Sequence, residues 1–160
     1  TDILASELFS IVPNDTEFKQ KLATMEIQSV TPAWKEILIR LNTTSGTGET
    51  KVNPSRVHVE HILPQTPRAL VLVEAGLSIE DANLLAQRIG NLTLLSGVKN
   101  REASNKPFSQ KCLTYSTSEI VMTRDLPSYG TWGRTEIEQR SNDLAEQVAT
   151  IYRHPSDIHF

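Results

Sequence analysis

The chain has 160 residues, 38% of them hydrophobic and 22% charged, which suffices to bury one core and excludes a disordered or fibrous chain. A formal net charge of -3 excludes indiscriminate binding to polyanions, so any contact with nucleic acid must be local. No apolar run approaches the roughly 20 residues that cross a bilayer, and the single cysteine, Cys112, can form neither an internal disulfide nor a thiolate-rich zinc site, which fits a reducing cytoplasm.

Residues 2–11 place Ile3, Leu4, Leu8 and Ile11 at helical spacing behind Asp2 as N-cap, and Pro13 ends that helix. A second helix is expected after Asp15 or Thr16, with Phe18, Leu22 and Met25 on one face. Thr31 and Pro32 open a third, which runs through Leu41. The charges on these segments alternate in sign, as on a solvated face, so the helices read as scaffold. Asn42 to Pro54 is rich in Gly, Ser and Thr without hydrophobic period and reads as a surface connector.

Beyond it the pattern changes to alternation. Val57 and Val59 fall on one face and His58 and Glu60 on the other, as in a half-buried strand that ends near Pro64. Residues 66–76 are apolar without a clear period and receive no assignment. Ser78 is placed to cap a short amphipathic helix through Ala82, Leu84, Leu85 and Arg88, which Gly90 ends. Asn91 to Ser96 reads as a second strand. From Gly97 the chain turns basic, with Lys99, Arg101, Lys106 and Lys111 set against Glu102, a local positive patch on an acidic protein. Short helices are expected over 108–115 and 118–124, then a turn over 127–133. A long helix from Arg134 or Thr135 follows, whose Ile137, Arg140, Leu144, Val148 and Ile151 form a core-facing stripe. Cys112 reads as a small buried hydrophobe.

These elements amount to an α+β, mostly helical fold. A single domain over 1–160 is expected, with a helical lead-in over 1–43, a strand–strand–helix core over 55–106 and C-terminal helices over 107–160. The start at Thr1, without Met or a secretory leader, reads as a piece of a longer polypeptide.

The chemistry gathers in residues 57–65 and 90–100. Phosphodiester hydrolysis needs a deprotonated water, charge stabilisation at phosphorus and a path for the 3′ oxygen to leave; a divalent cation supplies the last two. A neutral imidazole with an ordinary pKa of about 6.5 suits the proton transfer, which makes His61 the candidate general base. Oxygen ligands from a carboxylate and an amide suit a hard cation, so Glu60 and Asn100 are candidate ligands for Mg2+ or Mn2+. Glu60 and His61 would point to opposite sides of a regular strand, so the strand has to end or bend at this pair. Asn91 is placed to clamp the loop that holds His61. His58 shares the face of Glu60 and is either a phosphate contact or an exposed strand histidine. Lys99, Arg101, Lys106 and Lys111 either touch backbone phosphates or form a solvated helix face.

The run Val59-Glu60-His61-Ile62-Leu63-Pro64-Gln65, then Gly90-Asn91-Leu92-Thr93-Leu94-Leu95, then Lys99-Asn100-Arg101 resembles the HNH (ββα-metal, His-Me finger) endonucleases, with the three letters on His61, Asn91 and Asn100. The interval of nine residues between Asn91 and Asn100 is similar to that in the HNH domain of RNA-guided CRISPR effector nucleases. Within this group the chain most resembles the C-terminal nuclease domain of GmrSD-type modification-dependent restriction enzymes, and of related phage-defence nickases that act with DNA phosphorothioation. The likeness covers most of the chain, including the segment of Trp132 and Arg140. It implies a small ββα-metal core with His61 as base, Asn91 in the catalytic motif and Glu60 and Asn100 on Mg2+ or Mn2+. It further implies DNA nicking that leaves 5′ phosphates, and an N-terminal nucleotide-hydrolysing domain elsewhere in the protein. Many HNH enzymes carry Asp before the base and His at the last motif position, where this chain has Glu60 and Asn100. Two other readings stay open, a catalytically silent DNA-binding or partner-docking module and a ribonuclease.

Overall fold

In the computed structural model, which describes residues 14–45 and 52–152, the elements run in the order α1 (Asp15–Thr24), α2 (Pro32–Ser45), β1 (Val57–His61), α3 (Ala69–Ala75), α4 (Ile79–Ala86), β2 (Leu92–Ser96), α5 (Gly97–Ala103), α6 (Phe108–Tyr115), α7 (Val121–Arg124) and α8 (Arg134–Ile151). The fold is α+β and mostly helical. The helix expected over 2–11, with Pro13, and the centre of the 42–54 connector lie outside the described residues.

Local chemistry explains most boundaries. Asn14 rather than Asp15 or Thr16 caps α1, its Oδ1 accepting from the Glu17 N–H at 3.0 Å. α2 starts on Pro32, where the missing N–H costs nothing, but continues past Leu41 to Ser45. Asn42 is buried there, and its Oδ1 accepts from the Met122 N–H at 3.1 Å, while the Thr43 hydroxyl bonds back to the Ile39 carbonyl. A tertiary bond thus holds in helix a stretch whose composition favours a loop. The unassigned segment becomes α3, closed by Gly76 at φ +65°, a left-handed conformation that glycine adopts without penalty. Only Val71 of α3 is buried, whereas Leu70 and Val73 are 61% and 78% exposed, so its apolar residues carry no period.

Ser78 caps α4 as expected, accepting from the Asp81 N–H at 3.1 Å. α4 ends at Ala86, however, and Gly90 belongs to a 3-10 turn, Ile89–Asn91, pressed against α8. A Cβ at position 90 would collide with the Ile137 carbonyl and with Ser141, so glycine is there for close approach rather than as a helix stop. α7 starts at Val121, after Ile120 in extended conformation, and not at Ser118. On α8 the stripe of Ile137, Arg140, Leu144 and Val148 is buried, and Ile151 is partly so. Cys112 is only half-buried.

β1 and β2 form an antiparallel pair in which Val57 faces Ser96, Val59 faces Leu94 and His61 faces Leu92, and α5 follows β2 without a loop. A lone two-stranded sheet is marginal in water. Here it lies between two apolar clusters. Val57, Leu92 and Leu94 join Leu22, Leu38, Leu41, Leu144 and Val148 on one side; Leu95 joins Leu63, Leu85, Phe108, Tyr115 and Trp132 on the other. β2 is therefore buried on both faces. β1 departs from simple alternation, because Glu60 is 6% exposed although His58, on the same face, is exposed. The cause is α6, which reaches over the last part of the strand and covers Glu60.

Candidate active site

The site is built where β1 stops. After His61 the chain turns, and the turn is held from behind by Asn91, which has no exposed surface. Asn91 Oδ1 accepts from the Leu63 N–H at 2.7 Å and its Nδ2 donates to the Leu63 carbonyl at 2.8 Å and the Ala86 carbonyl at 3.2 Å. Its own carbonyl accepts from the Ile62 N–H at 3.0 Å. Every polar atom of the side chain is spent on backbone or on Trp132, so Asn91 positions the loop and does not reach the pocket.

The segment carrying Asn91 is itself fixed by the C-terminal region. Trp132 Nε1 donates to Asn91 Oδ1 at 3.1 Å, with its ring stacked on Phe108 at a centroid distance of 5.3 Å. Arg140 Nη1 donates to the carbonyls of Gly90 at 2.5 Å and Leu92 at 2.8 Å. Burial pulls the Arg140 guanidinium down to about 10, which leaves it charged at neutral pH.

In front of the turn is a pocket of about 240 Å³ whose polar wall includes Glu60, His61, Gln65, Asn100, Ser104 and Asn105. Glu60 and His61, the last two residues of the strand, both line it. His61 Nε2 is buried and has no hydrogen-bond partner. Burial first, and the nearby Lys111 charge second, push its pKa down to about 4, well below the ordinary value taken from the sequence, so the imidazole is neutral through the physiological range. Glu60 Oε2 accepts from Asn100 Nδ2 at 3.1 Å, and its Oε1 accepts from Lys111 Nζ at 2.7 Å and from the Tyr115 hydroxyl at 3.0 Å. Lys111 also donates to the His61 carbonyl at 2.8 Å. Burial raises the Glu60 carboxyl, and the Lys111 charge and the two hydrogen bonds oppose it. The same burial lowers Lys111 and holds the Tyr115 hydroxyl well above its usual range.

The sequence profile described as GmrSD restriction endonucleases, C-terminal domain, matches residues 12–147. The chain belongs to this family. No curated protein and no solved structure gave a match. Membership makes the chain a nuclease domain of the restriction-endonuclease type, and it covers both the pocket and the Trp132 and Arg140 segment that braces it. No described helix is long and apolar enough to cross a membrane.

Within this family member the structure brings together four of the residues singled out in the sequence. His61, Glu60 and Asn100 share the pocket, and Asn91 stands behind it. The basic residues are dispersed. Arg101 and Lys106 are exposed, whereas Lys99 is half-buried with Nζ donating to the Thr117 carbonyl at 2.9 Å and to the Thr117 hydroxyl. Lys111 leaves the expected surface patch altogether, being 1% exposed and ion-paired with Glu60. His58 lies outside the pocket lining. A Cβ on Gly97 would stand 3.2 Å from its Nε2 and 3.7 Å from Arg101 Nη1, which places His58 and Arg101 side by side on the outer face. A larger cavity of about 630 Å³, at the Val57 end of the strand, is lined by Arg56, Lys99 and Glu119 but by no histidine.

Lys111, Tyr115 and Ser104 were not assigned to the site from sequence. The first two were readable in part, since they lie four apart on one expected helix and so share a face. Ser104 gave no signal. It ends α5 at φ +46°, a conformation that costs a non-glycine residue about 1–3 kcal/mol, and its strain is located on the wall of the pocket.

Among the described residues no three His, Cys, Asp or Glu side chains converge as a metal cluster. A cation here would therefore be held by Glu60 Oε2, by Asn100 through Oδ1 after rotation of its amide, and by water or substrate oxygens. One carboxylate, one amide and several waters fit Mg2+ or Mn2+ and do not fit zinc.

Proposed function

We propose that this domain is an HNH-type, Mg2+- or Mn2+-dependent DNA endonuclease that nicks one strand per encounter. The observation that carries this is a neutral His61, its buried Nε2 free of any hydrogen bond, lining one pocket together with Glu60 and Asn100. An imidazole protonated on Nδ1 presents a lone pair at Nε2, which can take the proton of a water held in the pocket. Its depressed pKa lowers base strength but keeps it deprotonated at neutral pH. When bound, the cation supplies charge neutralisation at the phosphorane and at the departing 3′ oxygen. Glu60 and Asn100 hold it, Asn91 keeps the His61 turn from drifting, and the exposed Arg101 and Lys106 contact the phosphate backbone, which positions DNA without reading its sequence. His58, near Arg101, adds a further backbone contact, and Lys99, bonded to Thr117 and lining the cavity at the Val57 end of the strand, adds another beyond it. The described residues hold one such centre, so a double-strand break requires two domains. We place the domain as the cytoplasmic effector of a restriction or phage-defence protein whose N-terminal nucleotide-hydrolysing part gates it.

Full engagement of Glu60 Oε1 by Lys111 favours one rival, a silent DNA-binding module in which the carboxylate is structural. Incubation of supercoiled plasmid and of labelled RNA with the chain in Mg2+, Mn2+ or EDTA separates the readings. Nicked circles in metal alone, with intact RNA, are expected. Binding to plasmid without nicking in every condition would establish the silent module, and cleavage of RNA alone a ribonuclease.

A further inference from the structure

Glu60 is the only carboxylate among the residues lining the pocket, and its charge is already matched. Lys111 Nζ sits 2.7 Å from Oε1 and 2.8 Å from the His61 carbonyl, and the side chain is 1% exposed, so the ammonium cannot swing away to solvent. Tyr115 takes the remaining approach to Oε1 at 3.0 Å. Only Oε2, beside Asn100, is left to face the pocket. The Glu60–Lys111 pair, 2.7 Å apart, sums to zero charge, and a divalent cation entering alone would add two uncompensated positive charges to a partly buried space. Hard-cation affinity is set largely by the number of charged ligands, and this site offers none in excess. A phosphodiester supplies both the missing negative charge and further oxygen ligands.

We propose that Lys111 is a resident counter-ion of Glu60 that keeps the Glu60–Asn100 site from loading a divalent cation until a DNA phosphodiester occupies the pocket, so that metal and DNA bind cooperatively. The proposal rests on the reading of the domain as a metal-dependent DNA nuclease. Lys111 is a positioning residue in this scheme: it fixes which carboxylate oxygen is available and sets the charge of the empty site, and it touches neither substrate nor reacting atoms. Binding coupling is reciprocal, so whatever factor DNA gives to metal, metal gives to DNA.

The test uses Mn2+ as probe. In His61→Ala protein, the affinity for a short duplex is measured by fluorescence anisotropy in Mn2+ and in EDTA at matched ionic strength. Mn2+ is expected to tighten binding on the order of tenfold or more, as a charge interaction of this kind at close range would, and the gain is expected to vanish when Glu60→Gln is added. Calorimetric titration of the free protein with Mn2+ forms the second arm. Lys111→Met is expected to bind Mn2+ about tenfold more tightly than wild type, since the removed ammonium at close range no longer opposes the cation. The variant should also show a larger rise in Tm on adding Mn2+. A purely structural lysine would lower stability without raising metal affinity. A folded Lys111→Met that binds Mn2+ no more tightly than wild type, or a duplex affinity indifferent to Mn2+, overturns the proposal. If Lys111→Met does not fold, the duplex arm alone decides. Plasmid nicking by wild type without coupling overturns only the counter-ion role; absence of both nicking and Mn2+ binding in all arms overturns the nuclease reading with it.

Discussion

Replacing Asn91 with Ala removes the clamp behind the His61 turn without changing the identity of any residue lining the pocket. The magnitude follows from its contacts. Four hydrogen bonds are lost, to the Leu63 N–H, the Leu63 carbonyl, the Ala86 carbonyl and Trp132 Nε1, at a site with no exposed surface. At about 1 kcal/mol net for each bond the sum is about 4 kcal/mol, reduced if water fills the vacated space and increased if it does not. For a domain of this size each kcal/mol moves Tm by about 2–4 °C, so a drop of about 8–16 °C is expected. Urea unfolding followed by circular dichroism gives the free energy directly, and an unchanged m-value would show that the unfolded reference is the same. The backbone bond from the Ile62 N–H to the Asn91 carbonyl survives the substitution, so the strand end should persist while the His61 turn loosens. Plasmid nicking under conditions where the variant is folded should therefore fall more than DNA binding does. A stability within about 1 kcal/mol of wild type would refute the clamp, since even partial compensation by water leaves a larger deficit.

Three further outcomes follow from the same geometry. Ser104→Gly relieves a positive-φ serine and is expected to raise the urea midpoint, worth about 1 kcal/mol, against the usual cost of glycine; a lowered midpoint would show that Ser104 is unstrained. His61 has a folded pKa of about 4 against 6.5 unfolded, so below 6.5 the unfolded chain binds the extra proton and stability falls as pH drops towards 4. Glu60, raised by burial, acts in the opposite sense. Comparing metal-free wild type with His61→Ala isolates the histidine: wild type should lose about 2–3 kcal/mol more than the variant between neutral pH and pH 4, and parallel profiles would contradict its burial as a neutral group. Replacing the exposed pair Arg101 and Lys106 with Ala should flatten the slope of log K against log salt for duplex binding by about 2, near 0.9 per phosphate contact, whereas an unchanged slope would remove them from the interface.

How far the sequence reached depended on whether the deciding interaction was local. Helix α4 is announced by Ser78, α2 by Pro32 and α8 by its buried stripe, all within a turn or two of chain. α3 was hidden because Leu70 and Val73 face solvent, which erases the period that marks a helix. The extension of α2 through Asn42 depends on Met122, eighty residues away. Around the pocket, His61, Glu60 and Asn100 could be singled out because a carboxylate beside an imidazole and a distant amide suggest chemistry by their identities, and the structure brings the three to one lining; the Asn91 clamp could be expected because an amide next to a strand end is suited to bond backbone. The burial of Lys111 was not legible. A lysine in a basic stretch looks solvated, and only the approach of α6 to the end of β1 turns it into the partner of Glu60. The depressed pKa of His61 was equally hidden, since it comes from tertiary burial first and from the Lys111 charge second.

The most direct test of the account is the single-turnover rate of plasmid nicking by His61→Ala against wild type at saturating Mn2+. A general base contributes about 10²–10⁴-fold, so the variant should be slower by that factor with duplex affinity and Tm close to wild type. Nicking by folded His61→Ala at the wild-type rate would contradict the assignment of His61 as the base.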